Sequence, residues 1–118
     1  MSKALLRTEE TYQKYQDLIA AGGLKGPCAL CGGEAIKEFE HWKIMVNAYP
    51  YDRIAKLHHM ILPKRHASEG EITQEEWYEY GKIKKEYLHN EYQFLIEATN
   101  KTKSIPTHFH VHLVVLKD

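Results

Sequence analysis

The sequence has little that would place it in a membrane or on a nucleic acid. Its longest apolar runs are only a few residues, whereas a membrane-spanning helix needs about 20. The 16 acidic and 16 basic side chains balance, which disfavours a protein that neutralises a phosphate backbone. Residues 1–10 are charged and lack the apolar segment of a signal peptide. We therefore expect a cytoplasmic protein with neither a membrane nor a nucleic-acid partner.

The chain also lacks internal repeats, low-complexity segments and any sign of a second domain. A length of 118 residues is enough for a single domain with one hydrophobic core. There are only two cysteines, spaced C-x-x-C. In an apparently cytosolic chain this spacing indicates metal or redox chemistry before a structural disulfide.

Cys28 and Cys31 lie in a glycine-rich turn, residues 28–33, for which three interpretations compete. A zinc knuckle is favoured, because glycines let backbone amides turn toward the thiolates. A redox pair is disfavoured, since it should open a helix and Gly32-Gly33 is poor helix material. Two inert thiols are the third interpretation. Without a second C-x-x-C, the remaining zinc ligands would have to be histidines.

Close to the C-terminus, histidines and large apolar residues alternate strictly. The histidines are His108, His110 and His112, and the apolar residues are Phe109, Val111, Leu113 and Val115. A period of two is that of a β-strand, so the two sets point to opposite faces. The pattern predicts a row of three imidazoles about 6.6 Å apart on one rigid element.

The rest of the pattern predicts an α+β domain. The expected elements are a helix over 2–21, a hairpin over 34–48, a strand over 57–62, a helix from Thr73 to about 90, a strand over 92–99 and the histidine strand. Thr73 and Glu76 form a capping box at the start of the second helix. We expect a mainly antiparallel sheet of about five strands, with one long helix packed on it and an N-terminal helix.

Three segments together resemble the histidine-triad (HIT) family. Residues 108–114 match its signature of three histidines alternating with apolar residues, and residues 58–66 resemble its strand that begins with histidine and ends in Pro-Lys-x-His. Asn47 and Pro50 resemble the Asn-x-x-Pro that precedes that strand. The resemblance covers roughly residues 28–115. It implies a HIT-like domain over 1–118, with an N-terminal helix in 1–23, a zinc knuckle in 28–33 and a nucleotide-binding core over 34–115.

The resemblance implies an enzyme acting at the α-phosphate of a nucleoside phosphoramidate or dinucleoside polyphosphate. His110 would attack phosphorus and form a nucleotidyl-histidine that water then hydrolyses, since a neutral imidazole is a good nucleophile near physiological pH. His112 would donate to a phosphoryl oxygen, and His58 would support the site from the neighbouring strand. A homodimer through the sheet or the long helix is also implied.

The resemblance further implies the residues that hold the nucleotide. Asn47 would bind the ribose hydroxyls, and Trp42 and Ile44 would form walls of the base pocket. The family's glycine-containing phosphate loop is absent here. The candidates to replace it are Asn100, Ser104 and Thr107. No phosphate-clamping cation is needed in this scheme, so Lys64 and Arg65 are interpreted as solvated residues.

A zinc-binding branch of the family would use Cys28, Cys31, His66 and His108 as ligands. Two thiolates and two imidazoles form a closed tetrahedral set, which is typical of a structural Zn²⁺. His41 is a rival fourth ligand. His89 is interpreted as a surface residue at a helix end.

Two other functions remain open from the sequence. One is a metal-dependent hydrolase in which the triad itself holds a catalytic zinc, although few carboxylates lie near the triad to complete such a site. The other is a binding module that holds nucleotide without turnover.

Overall fold

The fold is a five-stranded antiparallel sheet with helices, as expected for an α+β domain. It was obtained as a computed structural model that describes residues 6–23, 28–102 and 105–118. The helices are α1 (Glu9–Ala20) and α2 (Gln74–Ile83), which continues through a π-helical turn (Lys84–Leu88) into α3 (His89–Glu91). The strands are β1 (Lys37–Glu38), β2 (Trp42–Val46), β3 (Ala55–Pro63), β4 (Phe94–Ile96) and β5 (Val111–Leu116). The spatial order is β1-β2-β3-β5-β4. In the described ranges, no helix is long and apolar enough to cross a membrane.

Helix α1 starts later than the sequence pattern predicts. The predicted start at residue 2 lies outside the described residues, and among residues 6–23 helical structure begins at Glu9. Thr8 is extended and accepts a hydrogen bond from the Thr11 backbone, which makes it the N-cap. The Asp52 carboxylate accepts the backbone N–H of Thr8 at 2.8 Å, so a distant loop fixes the start of the helix.

The histidine strand is shorter than predicted, although its alternation is preserved. Strand β5 pairs with β3 only from Val111 onward. Before that point the Phe109 N–H donates to the Ala67 carbonyl at 2.8 Å, beyond the end of β3. Phe109, Val111 and Leu113 are buried together in the main core. The histidines therefore point to the other face, as the period of two predicts.

The main core lies between the sheet and the long helix. From β2 it contains Trp42 and Ile44, which have no exposed surface. Ile83 and Leu88 of the long helix pack in the same cluster. The indole N–H of Trp42 donates to the Glu76 carbonyl at 2.8 Å, which satisfies the buried polar atom of this side chain. The helix thus covers one face of the sheet, and the chemistry must lie on the other face.

An ion pair joins the end of β3 to the start of α2. Arg65, interpreted from the sequence as solvated, is exposed and also donates from Nη2 and Nε to the Glu76 carboxylate at 2.8 and 3.2 Å. That carboxylate also accepts the Thr73 backbone N–H, which completes the capping box. The Arg65 hydrogen bond, with further hydrogen bonds from Thr73, lowers the pKa of Glu76 to about 2. Lys64 lies 3.5 Å from Glu38 in an exposed pair.

We expect Glu76→Gln to lower the free energy of unfolding at pH 7 by about 1–3 kcal/mol, measured by urea denaturation. The folded-state pKa of Glu76 lies below its ordinary value of 4.5. Its contribution is therefore fully present above pH 4.5 and is lost as the pH falls toward 2. The difference in stability between the native protein and the variant should shrink over that range.

Glu75→Gln is the matched control, because Glu75 lies in the same helical turn and is exposed. It should change stability by less than about 0.5 kcal/mol. A difference between native and Glu76→Gln proteins that stays constant from pH 7 to pH 2.5 would contradict the role of this ion pair.

Candidate functional site

A cavity lies on the face of the sheet away from the long helix. Its polar lining is contributed by Arg7, Asn47, Tyr51, His110 and His112. Its apolar lining includes Tyr15, Leu18, Leu30, Met45, Met60 and Ile105. Two of the triad histidines thus face one hollow that has an apolar wall and a polar wall. This combination suits a ligand that has both an aromatic and a charged part.

Hydrogen bonds fix the tautomers of two neighbouring histidines in the site. His58 Nδ1 accepts the backbone N–H of Tyr51 at 2.9 Å, so neutral His58 carries its proton on Nε2. That nitrogen lies 2.8 Å from His112 Nδ1, to which it donates. His112 therefore carries its own proton on Nε2, 3.3 Å from the Tyr51 hydroxyl oxygen. The chain of bonds orients His112 as a hydrogen-bond donor on its cavity side.

This arrangement requires His58 to be neutral, and its surroundings keep it so. His58 is 4% exposed. Burial, followed by the positive charge of Arg7, lowers the pKa of His58 to about 3. His58 is therefore neutral throughout the physiological range and can accept from Tyr51 while donating to His112.

The backbone fixes the tautomer of His110. Its Nδ1 lies 3.0 Å from the His108 carbonyl oxygen, which can only accept, so Nδ1 carries the proton. The lone pair of the neutral ring is then on Nε2. His110 lines the cavity, and its ring centroid is 5.2 Å from that of His112. The geometry is that of a positioned nitrogen nucleophile beside a positioned donor.

The four predicted metal ligands lie together at one end of the site. Cys28 Sγ is 3.5 Å from His108 Nδ1, and Cys31 Sγ is 3.4 Å from the same nitrogen. Cys31 Sγ is also 3.2 Å from His66 Nδ1, and all four ligand atoms lie within 4.8 Å of one another. Zinc-like bond lengths in a tetrahedron separate sulfur and nitrogen ligands by about 3.6 Å. The cluster could therefore hold a metal ion.

His108 is already oriented for a metal. Its Nε2 lies 2.9 Å from the Pro63 carbonyl oxygen and donates to it, which directs the Nδ1 lone pair at the two thiols. Such outer hydrogen bonds commonly orient metal-binding histidines. No helix follows the thiols, since residues 29–33 form turns and bends. The helix end that would activate a redox thiol is therefore missing.

Some predicted residues lie elsewhere. His41, the rival ligand, is outside the metal cluster, and its backbone N–H donates to Glu79 at 2.7 Å. Trp42 and Ile44 were wrong as walls of a base pocket, because they face the main core. Met45 alternates with them along β2 and lines the cavity instead.

The polar nucleotide-binding candidates separate into three cases. Asn47 lines the cavity, and its Oδ1 accepts the Tyr49 backbone N–H at 2.8 Å. Asn100 and Thr107 are exposed and are absent from the cavity lining, so they are poorly placed as phosphate contacts. Ser104 lies outside the described residues.

Sequence reasoning missed two residues of the polar wall. Tyr51 contacts His58 and His112, and Arg7 enters the cavity from the segment before α1. The only local signal for Tyr51 was its position directly after the Asn-x-x-Pro segment. Arg7 had none, because Tyr49 and Tyr51, which it contacts in the polar wall, lie more than 40 positions away in the chain.

Comparison with known proteins supports the fold. No protein-family model matches the sequence. No curated protein matches it. The structure is similar to that of a solved protein described as a HIT family hydrolase from Legionella pneumophila Philadelphia 1. The two share 17% sequence identity with a TM-score of 0.55, over 78% of this chain and 95% of the other. The α+β architecture is thus confirmed as a HIT-like fold.

The cluster predicts that purified protein binds one metal ion per chain, measured by elemental analysis. Cys31→Ser and His66→Ala should each lose most of it, because three ligands no longer close the set. Where free metal exceeds its dissociation constant a thousandfold, removal should lower the unfolding free energy by about 4 kcal/mol.

His41→Ala is the control for this prediction, since it removes a nearby histidine that lies outside the cluster. It should keep the full metal content. A His66→Ala protein that still holds one ion per chain with native stability would rule out the proposed ligand set.

Proposed function

We propose that the protein is a nucleotide hydrolase of the histidine-triad type, acting at the α-phosphate of a nucleotide. The observation that carries the proposal is the state of His110. Its Nδ1–H is held by the His108 carbonyl, so the ring presents the Nε2 lone pair as nucleophile from a wall of the cavity. A nitrogen nucleophile beside a hydrogen-bond donor suits transfer of a nucleotidyl group.

The proposed reaction has two steps. His110 Nε2 attacks the α-phosphorus, a phosphorus–nitrogen bond forms, and the bond to the leaving group breaks. His112, whose Nε2–H is set by His58, donates to a phosphoryl oxygen as negative charge develops there. Water then attacks phosphorus, which releases the nucleoside monophosphate and restores the imidazole of His110.

The cavity suggests how the rest of the nucleotide would be held. The Asn47 side chain keeps its Oδ1 on Tyr49, so its Nδ2 is the group that would donate to a ribose hydroxyl. The apolar wall, with Leu30, Met45 and Met60, would contact the base. Ser104 stays a prediction for the phosphate.

We assign the metal cluster to a structural Zn²⁺. Two sulfur and two imidazole ligands form a closed set of soft and borderline donors, which zinc favours. The metal would supply rigidity, because it would hold His108, whose carbonyl orients His110. Cytoplasmic location and a homodimer stay predictions from the sequence.

The alternative in which the triad binds a catalytic zinc is disfavoured. Only His108 of the three joins the metal cluster found among the described residues. His110 directs Nδ1 to a carbonyl, and His112 directs Nδ1 to His58. A module that binds nucleotide without turnover would have the same contacts, so an experiment must separate it from an enzyme.

We expect mass spectrometry of rapidly quenched protein with nucleotide substrate to detect a nucleotidyl adduct on His110. His110→Ala should lose the adduct and on the order of 10³-fold or more in kcat/KM, since the nucleophile is removed. His112→Ala should lose about 10²- to 10⁴-fold, as is usual for a proton donor.

His89→Ala is the matched control, since His89 is an exposed histidine in α3, away from the cavity. It should retain both adduct and turnover. Nucleotide binding with no adduct and no turnover would identify a binding module, and an active His110→Ala protein would end the proposal.

A further inference from the structure

Arg7 is a buried cation that the two-step reaction does not yet use. It precedes α1, is 4% exposed and lines the cavity. Its Nε donates to the Tyr49 carbonyl at 2.8 Å. The guanidinium carbon lies 4.4 Å from the Tyr15 ring centroid and 4.9 Å from that of Tyr51. The two rings fix the plane of the guanidinium through cation–π contacts.

The hydrogen bonds of Arg7 are incomplete. Its Nη1 is buried and has no hydrogen-bond partner. Within the described ranges, no carboxylate forms an ion pair with it, and nearby Asp52 accepts from Thr8 and Thr11 instead. A buried charge without a counter-ion is costly, so an anion bound beside it would be stabilised. The missing partner of Arg7 is therefore expected to come from the cavity.

The position of Arg7 indicates which part of a substrate it would contact. Tyr51 packs against the guanidinium, and its hydroxyl oxygen lies 3.3 Å from His112 Nε2. His112 in turn neighbours His110. Arg7 is thus two side chains removed from the nucleophile, on the His112 side. With the α-phosphate against His110 and His112, as in the proposed reaction, Arg7 would contact a neighbouring part of the substrate.

We propose that Arg7 binds a phosphate oxygen of the leaving group, so that the site prefers substrates whose leaving group is itself a phosphate. Nucleoside diphosphates and dinucleoside polyphosphates belong to this class, whereas phosphoramidates with an uncharged amine do not. This inference rests on the proposed function. A fixed guanidinium would stabilise the charge that the leaving phosphate gains as its bond to the α-phosphorus breaks.

The first experiment measures nucleotide binding by calorimetry, with the mono- and diphosphates of adenosine and guanosine. It uses metal-loaded His110→Ala protein, so that no nucleotide is turned over. The diphosphate of at least one nucleoside should bind about tenfold or more tightly than its monophosphate. Adding Arg7→Gln should remove that preference while changing monophosphate affinity by less than about threefold. Arg7→Lys keeps the positive charge but not the paired N–H donors of the guanidinium. It should retain part of the preference for diphosphate.

Arg53→Gln is the control, because Arg53 donates to the Arg7 carbonyl but does not line the cavity. It should keep the preference for diphosphate. If Arg7→Gln fails to fold, the affinities for diphosphate and monophosphate in the Arg7-containing protein still test whether the site prefers a second phosphate. Equal affinities there, or no binding of any of the four nucleotides, would overturn the proposal.

The turnover arm separates this inference from the proposed function. In protein with His110 intact, Arg7→Gln should lower kcat/KM for a dinucleoside triphosphate at least about tenfold more than for an alkylamine phosphoramidate. Equal losses, with the His110 adduct intact, would overturn the role of Arg7 alone. An Arg7-dependent preference for diphosphate in a protein that never forms an adduct would instead overturn the hydrolase.

Discussion

The site depends on the two hydrogen-bonding ends of one residue, His108. Its ring donates to the Pro63 carbonyl and directs Nδ1 at the two thiols, while its backbone carbonyl receives the Nδ1–H of His110. The candidate metal cluster and the proposed nucleophile, His110, are therefore joined by a single residue. A displacement of His108 would alter both the ligand set and the tautomer of His110.

The alternation of residues along the histidine strand puts core residues on one face of the sheet and histidines on the other. Phe109, Val111 and Leu113 pack under the long helix, so the histidines between them are forced onto the cavity face. On that face the imidazoles are buried too, and burial is what keeps His58 neutral. Because His58 is neutral, it can accept from Tyr51 and donate to His112 at neutral pH.

Local patterns allowed much of the fold to be predicted. They did not show which face of the sheet the residues of β2 would occupy. The hairpin and the capping box at Thr73 follow from short motifs, whereas the set of four candidate metal ligands was implied by the resemblance to the histidine-triad family. Trp42 and Ile44 were placed on the wrong face because the face follows from pairing between strands. Ile44 is paired with Ile61, and Ile61 with Val111, which puts all three on the core side.

The polar wall of the cavity was harder to predict from the sequence for a different reason. It is assembled from segments that carry no local sequence signal. Arg7 contacts Tyr49 and Tyr51 and directly precedes Thr8, whose backbone N–H donates to Asp52 at the start of α1. The helix cap therefore sets the position of a buried charge that lies beside the histidines. Arg7 also contributes to the low pKa of His58, after burial itself. The N-terminal segment is thus an electrostatic part of the site, although no residue in it belongs to the histidine pattern.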